Sequence, residues 1–149
     1  MYKRQALDIA LITQTWMLVL DRWPAGAALD IPMSPLQAVT GVRVKASTAA
    51  TINVPSTSYL VDIASRPPRL VWNGEARPDP GIKAGGIEID FTAGFGADGA
   101  SVPAPLKHAI LLLTAHWYEH RDPVEIGSAA ARIPDAVSDL IQPFRKIRL

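Results

Sequence analysis

The clearest pattern in the chain is a strict alternation of apolar and polar residues over positions 86–92. In an extended strand, successive side chains point to opposite sides, so Ile87, Ile89 and Phe91 would lie on one side and Glu88, Asp90 and Thr92 on the other. The alternation predicts a half-buried strand. A second alternating stretch, residues 11–23, is rich in aromatic, Thr and Val residues, which predicts another strand, largely buried and closed by Pro24.

Shorter β-branched runs between these two predict further strands at residues 38–46, 51–54, 59–63 and 69–72. Pro32 and Pro35 prevent a continuous ladder or helix over residues 30–35, which we expect to be a connector. Residues 6–12 are expected to form the last turns of a helix. Because the strands follow one another without crossover helices, a mainly antiparallel sheet region is predicted.

After Pro103 the apolar period changes from two to between three and four. Over residues 105–120 this spacing predicts an amphipathic helix with proline in its first turn, and its buried face should carry Leu106, Ala109, Ile110, Leu113 and Trp117. Residues 121–123 end this helix, and a loop follows. A short helix should then open at Pro134 and stop at Pro143, carrying Ala136, Val137, Leu140 and Ile141. The predicted fold class is α+β: a small, mainly antiparallel β-sheet region followed by a long and a short helix.

Composition sets limits on partners. The chain has 149 residues, 48% of them hydrophobic and 19% charged, as expected for one folded domain. Its net charge is +1, and neither residues 1–100 nor residues 101–149 carry a large excess of either sign, which argues against tight binding of duplex nucleic acid. Cysteine is absent. Asp8 and Gln14 interrupt the apolar start, and residues 109–115 are too few to span a bilayer, so we expect a soluble protein without membrane contact.

Gly94, Gly96 and Gly99 match the G-x-G-x-x-G pattern of dinucleotide-binding loops. That pattern requires a helix to open at the glycines, and here Pro103 and Pro105 delay the helix. We therefore interpret the glycines as a turn between a strand and a helix, and we expect no cofactor.

Two weak patterns resemble catalytic sites. His116 and His120 are one helical turn apart, but a metal site needs a third ligand, and His108 lies two turns earlier. Glu88 and Asp90 share one strand face, which the alternation already explains. We predict no catalytic and no metal-binding residue. A small metal-dependent enzyme, with a cleft around His116, Glu119 and His120, and a nucleic-acid-binding module, with basic groups gathered on one face, are the alternatives.

Six motifs occur in an order that resembles the phage head-tail connector family, which includes the adaptor of gene transfer agents. They are Thr13-Gln14-Thr15-Trp16 leading to Leu20-Asp21-Arg22-Trp23-Pro24, the strand of residues 87–91 ending in Thr92-Ala93-Gly94-Phe95-Gly96, Val102-Pro103, Ala109-Ile110-Leu111-Leu112, His116-Trp117-Tyr118-Glu119-His120-Arg121, and the closing segment of residues 140–148. The agreement runs over most of the chain from Leu11 onward.

The resemblance implies a non-enzymatic virion protein. Family members form a ring, commonly of twelve copies, under the portal and receive the tail or a stopper. The implied partners are the portal protein, a tail-side stopper or tail terminator protein, and further copies of the chain, while DNA passes through the ring. The protein would be made in the cytoplasm of the bacterial host and act at the head-tail interface of the virion. Family members usually have additional helices before the Thr-Gln-Thr-Trp strand, where this chain has about ten residues, so we expect the isolated subunit to associate weakly.

The resemblance also implies a role for the end of the chain. In family members a C-terminal arm reaches the portal, and residues 144–149 lie where that arm would be. We therefore expect a connector domain over residues 1–143 and an extended portal-binding arm over residues 144–149. Its apolar anchors would be Phe144, Ile147 and Leu149, and its cations Arg145, Lys146 and Arg148.

Overall fold

Seven strands and two helices make up the part of the chain that the computed structural model describes, which is residues 7–47, 50–74, 77–119 and 134–145. The strands are β1 (Gln14–Leu20), β2 (Ala28–Asp30), β3 (Leu36–Lys45), β4 (Thr51–Asn53), β5 (Tyr59–Asp62), β6 (Arg69–Trp72) and β7 (Ile87–Ala93). The helices are α1 (Ala104–Glu119) and α2 (Asp135–Ile141), and short 3-10 segments occur at Ser56–Ser58, Gly99–Ser101 and Gln142–Phe144. The predicted α+β fold class is confirmed.

The strand predicted from alternation, β7, is central in a four-stranded sheet. It pairs antiparallel with β1 on one side and β3 on the other, and β4 extends the sheet beyond β3. The register aligns the apolar positions, because Phe91 pairs with Trp16 and Val39, and Ile89 pairs with Leu18 and Val42. The apolar side chains of β7 are almost fully buried, so one face of this sheet forms part of the core.

A second sheet, in the order β2-β6-β5, contributes to the same buried cluster. Leu70 and Trp72 of β6 lie in this cluster with the apolar side chains of β3 and β7, and the ring of Trp72 lies 5.2 Å from that of Trp23. The sequence did not predict β2, because three residues are too few to show a period. It forms through its pairing with β6.

The predicted first strand is shorter and less buried than expected. It begins at Gln14 and ends at Leu20, and as an edge strand it leaves Met17 and Val19 exposed. The expected helix over residues 6–12 is also wrong from Asp8 onward. Asp8 has a φ of 51°, which is outside the helical region, and Ile9 forms a parallel bridge with Ser34. The chain at these residues therefore lies beside the connector that precedes β3.

The two helices build a second buried cluster, which contains Leu106 and Ala109 of α1 and Ile141 of α2, together with Leu7, Ile9 and Val102. Leu113 is also buried, as predicted, but Ile110 and Trp117 are not, with 37% and 53% of their surface exposed. Ile110 lies about 60° further around the helix than Leu113, beyond the stripe that faces the domain. Within the described ranges, no helix is long and apolar enough to cross a membrane.

Candidate interaction surfaces

Ion pairs cover the polar face of the four-stranded sheet. Arg43 of β3 contacts both carboxylates of β7: its Nε lies 3.3 Å from Glu88 Oε2, and its Nη1 contacts Asp90. Lys45 Nζ lies 2.6 Å from Glu88 Oε1. The cross-strand register, which places Arg43 opposite Glu88, brings these groups together.

These ion pairs favour the charged forms of the groups. The hydrogen bond from Lys45, with that from Arg43, lowers the pKa of Glu88, and the hydrogen bond to Asp90, with that to Glu88, raises the pKa of Arg43. A general acid needs a carboxyl group that is protonated near neutral pH, so the lowered pKa of Glu88 argues against such a role. The network stabilises the sheet face and supplies polar groups for a contacting surface.

The glycines after β7 allow the chain to pass close to the segment before β1. Gly94 has a φ of 145°, and a Cβ on it would collide with the backbone of Thr13. Its N–H donates to Pro35 O over 2.9 Å, and Gly96 O accepts from Thr13 N over 2.8 Å. Since α1 begins ten residues after Gly94, at Ala104, the glycines form the predicted turn between strand and helix and do not open a helix.

The histidines lie on or beyond α1. His108 is exposed and His116 is partly buried, while His120 lies outside the described residues. Glu119 is exposed at the end of the helix. Among the residues that are described, no three His, Asp or Glu side chains come close enough together to hold a metal ion.

Helix α1 presents a large exposed apolar surface directly beside its buried stripe. This outer face of α1 consists of Ile110, Leu111, Trp117 and Tyr118, of which Leu111 and Tyr118 are 66% and 67% exposed. Their spacing of one, seven and eight residues places them together on the helix. Grouped exposed aromatic and aliphatic side chains are typical of contact surfaces, and Trp and Tyr often dominate binding energies there.

A pocket of about 300 Å³ lies between the start of the described chain, the turn after β5 and the end of α2. We call it the Arg66 pocket. Its lining is mainly apolar, and it includes Leu7, Leu36, Ile63, Phe95 and Phe144, together with the side chains of Arg66 and Arg145. Sequence reasoning missed this pocket, because its walls come from segments up to about 140 positions apart.

The predicted arm divides at the edge of this pocket. Phe144 is partly buried in the second cluster, with its ring edge-on to Phe95 at a centroid distance of 6.4 Å, so it packs with the domain, contrary to our expectation. Arg145 is exposed, and its N–H donates to Gln142 O over 3.1 Å. The other predicted arm residues, Lys146, Ile147, Arg148 and Leu149, lie outside the described residues.

Solved structures with the same fold identify the class of protein. A chain from the virion of a native gene transfer agent (GTA) particle matches with a TM-score of 0.80 and 30% identity, over 98% of this chain and 72% of that one. A chain from the neck of an empty GTA particle, computed with C6 symmetry, matches at 0.79 and 31% over the same shares. A chain from the neck of a native GTA particle, computed with C12 symmetry, matches at 0.76 and 32%, over 98% of this chain and 76% of that one. No family model and no curated protein matches.

The protein is therefore a structural component of a phage-like virion. More closely, it belongs to the family of neck proteins found in gene transfer agent particles. Identity of 30–32% that extends over nearly the whole chain supports more than a shared fold.

Proposed function

We propose that the chain is a non-enzymatic subunit of the neck ring that connects the portal to the tail of a phage or gene transfer agent, with DNA passing through the ring. The match of 98% of the chain to neck chains carries this proposal. One of those necks was computed with C12 symmetry, which supports a ring of twelve copies. The tail-side partner would be a stopper or a tail terminator protein.

In a closed ring each copy meets its two neighbours through two different surfaces of the same chain. The outer face of α1 is the candidate for one of these surfaces. Its exposed aromatic and aliphatic side chains suit the centre of an interface, where water is excluded. The polar face of the four-stranded sheet, whose ion pairs are already satisfied within the subunit, suits a more hydrated contact.

The charge of the subunit suits the passage of DNA. A lining that held DNA firmly would need many unpaired cations, because binding to duplex DNA depends on the phosphates that a protein neutralises. The net charge is only +1, and three of the cations, Arg43, Lys45 and Arg69, are paired with carboxylates. DNA would therefore slide past such a surface more easily than it would bind.

The portal would be reached by the end of the chain. Because Phe144 packs with the domain, the proposed arm starts at Arg145, and Ile147 and Leu149 are its apolar anchors. We expect deletion of residues 146–149 to reduce co-sedimentation with purified portal rings at least about tenfold, since burial of one large side chain at an interface contributes roughly 2 kcal/mol. The melting temperature should change by less than about 2 °C, because terminal residues of this kind add little to a fold.

A matched control keeps the length of the arm and replaces residues 146–149 by glycine and serine. Loss of portal binding in both variants shows that the side chains of the arm make the contact. Unchanged portal binding after the deletion would contradict this role, and loss of the folded state would place the segment in the core.

A further inference from the structure

The Arg66 pocket has the size and lining of a site for a short peptide segment. Its volume of about 300 Å³ lies at the small end of ligand-binding pockets, which range from about 300 to 1,000 Å³. Apolar side chains, among them Leu36, Ile63 and Phe95, form most of its lining. Such a pocket accepts one or two apolar side chains.

The charge of the pocket indicates what else its occupant carries. Arg66 and Arg145 both line it, and among the described residues no carboxylate does. Within the described residues, neither of these guanidinium groups forms an ion pair, whereas Arg43, Lys45 and Arg69 do. Guanidinium groups bind carboxylates through paired hydrogen bonds, so the complementary ligand is an apolar segment with acidic residues beside it.

The walls of the pocket are held in place before any ligand binds. Ser34 N donates to Asp8 O over 2.9 Å, which ties the start of the described chain to the connector. Asp62 Oδ1 accepts hydrogen bonds from the N–H groups of Ala64 and Ser65 and so fixes the turn that carries Ile63. Arg66 Nη1 lies 3.5 Å from Pro143 O. A preformed site of this kind avoids much of the entropy cost of ordering on binding.

The position of the pocket points to the portal as the source of the ligand. Arg145 lines the pocket and is also the first residue of the proposed arm, and the four residues 146–149 that follow it span at most about 13 Å. A partner that binds the arm is therefore within reach of the pocket. The arm itself is a poor occupant, because Lys146 and Arg148 have the same charge as Arg66 and Arg145.

We infer that the Arg66 pocket binds an extended segment of the portal protein in which apolar side chains are flanked by carboxylates, next to the site where the arm docks. This inference rests on the proposed attachment to the portal.

Overlapping short peptides that cover the sequence of the portal, labelled with a fluorophore, test it by anisotropy with the full chain. Peptides with apolar residues between carboxylates should bind, and more weakly at high salt. Arg66→Glu should weaken their binding at least about tenfold, equivalent to one charge-assisted hydrogen bond, and Ile63→Ser should weaken it as well. Lys107→Glu makes the same change of charge at an exposed site on α1 and should leave binding unchanged.

The inference is overturned if no portal peptide binds, if basic peptides bind equally well, or if Lys107→Glu causes the same loss. It is also overturned if Arg66→Glu alters the sedimentation of the portal-free chain, because the occupant of the pocket would then be a second copy of the chain. Higher peptide affinity after removal of residues 146–149 overturns it as well, because the occupant would then be the arm. Co-sedimentation with intact portal rings tests the proposed function separately. If portal rings bind the chain but no portal peptide does, the proposed function stands and the proposed role of the pocket is refuted.

Discussion

Asp62 fixes the turn between β5 and β6 with its carboxylate. Hydrogen bonds from Ser65 are the largest cause of its lowered pKa, with a further contribution from Arg69, and together they bring the pKa from an ordinary value of 3.8 to about 2. A group whose pKa is lowered by folding stabilises the folded state above its unfolded pKa, and this contribution disappears as the pH falls through the folded pKa. The effect of Asp62 should thus be complete above about pH 4 and absent below about pH 2.

We expect Asp62→Asn to lower the melting temperature at pH 7 and the difference from the unmodified chain to shrink steadily between pH 4 and pH 2. Thermal unfolding followed by circular dichroism across this range measures it. Asp79→Asn is the matched control, because Asp79 is exposed and forms no ion pair within the described residues. A difference that stays constant down to pH 2 would show that the carboxylate does not act through its charge.

Helix α1 has two faces, and two of its leucines separate them. Leu113 is 3% exposed and Leu111 is 66% exposed, although they lie two positions apart, because two residues correspond to about 200° around a helix. Leu113→Ala should lower the free energy of unfolding by about 2–5 kcal/mol, since it leaves a cavity in the core. Leu111→Ala removes the same atoms from an exposed site and should cost less than about 1 kcal/mol in the isolated chain. Urea denaturation of both variants measures the difference, and equal losses would contradict the assignment of the two faces.

The same helix shows how far hydrophobic spacing predicts structure. The spacing of apolar residues predicted the two ends of α1 to within one residue. In β7 the period of two predicted both the strand and its buried face. Spacing did not separate Leu113 from Ile110 and Trp117, because an apolar residue at the margin of the stripe satisfies the period whether it packs inward or outward. For a helix with a buried apolar stripe and an exposed apolar surface, the sequence pattern predicts one broad buried face.

At the scale of the whole molecule, the candidate surfaces depend on contacts between distant positions. Arg43 and Glu88 are 45 positions apart. The alternation of apolar and polar residues in β3 and in β7 predicts a polar face on each strand, but it does not predict that the two strands pair. The Arg66 pocket needs Leu7, Leu36 and Phe144 at once, and no local pattern links them. The family resemblance led to the proposed role of the chain, which spacing and composition alone did not give.

The outer face of α1 offers the sharpest test of ring assembly. In the isolated chain Leu111→Glu places a charge in water, so the melting temperature should change little. In a ring the same charge would be buried between neighbouring copies without a partner, at a cost of several kcal/mol. We therefore expect Leu111→Glu to abolish closed rings on the portal, counted by electron microscopy, while His108→Glu, at an exposed site outside this face of the helix, leaves them intact. Closed rings formed by Leu111→Glu at the level of the unmodified chain would exclude the outer face as the contact between subunits, and failure of both variants would show that added negative charge, rather than the face, prevents assembly.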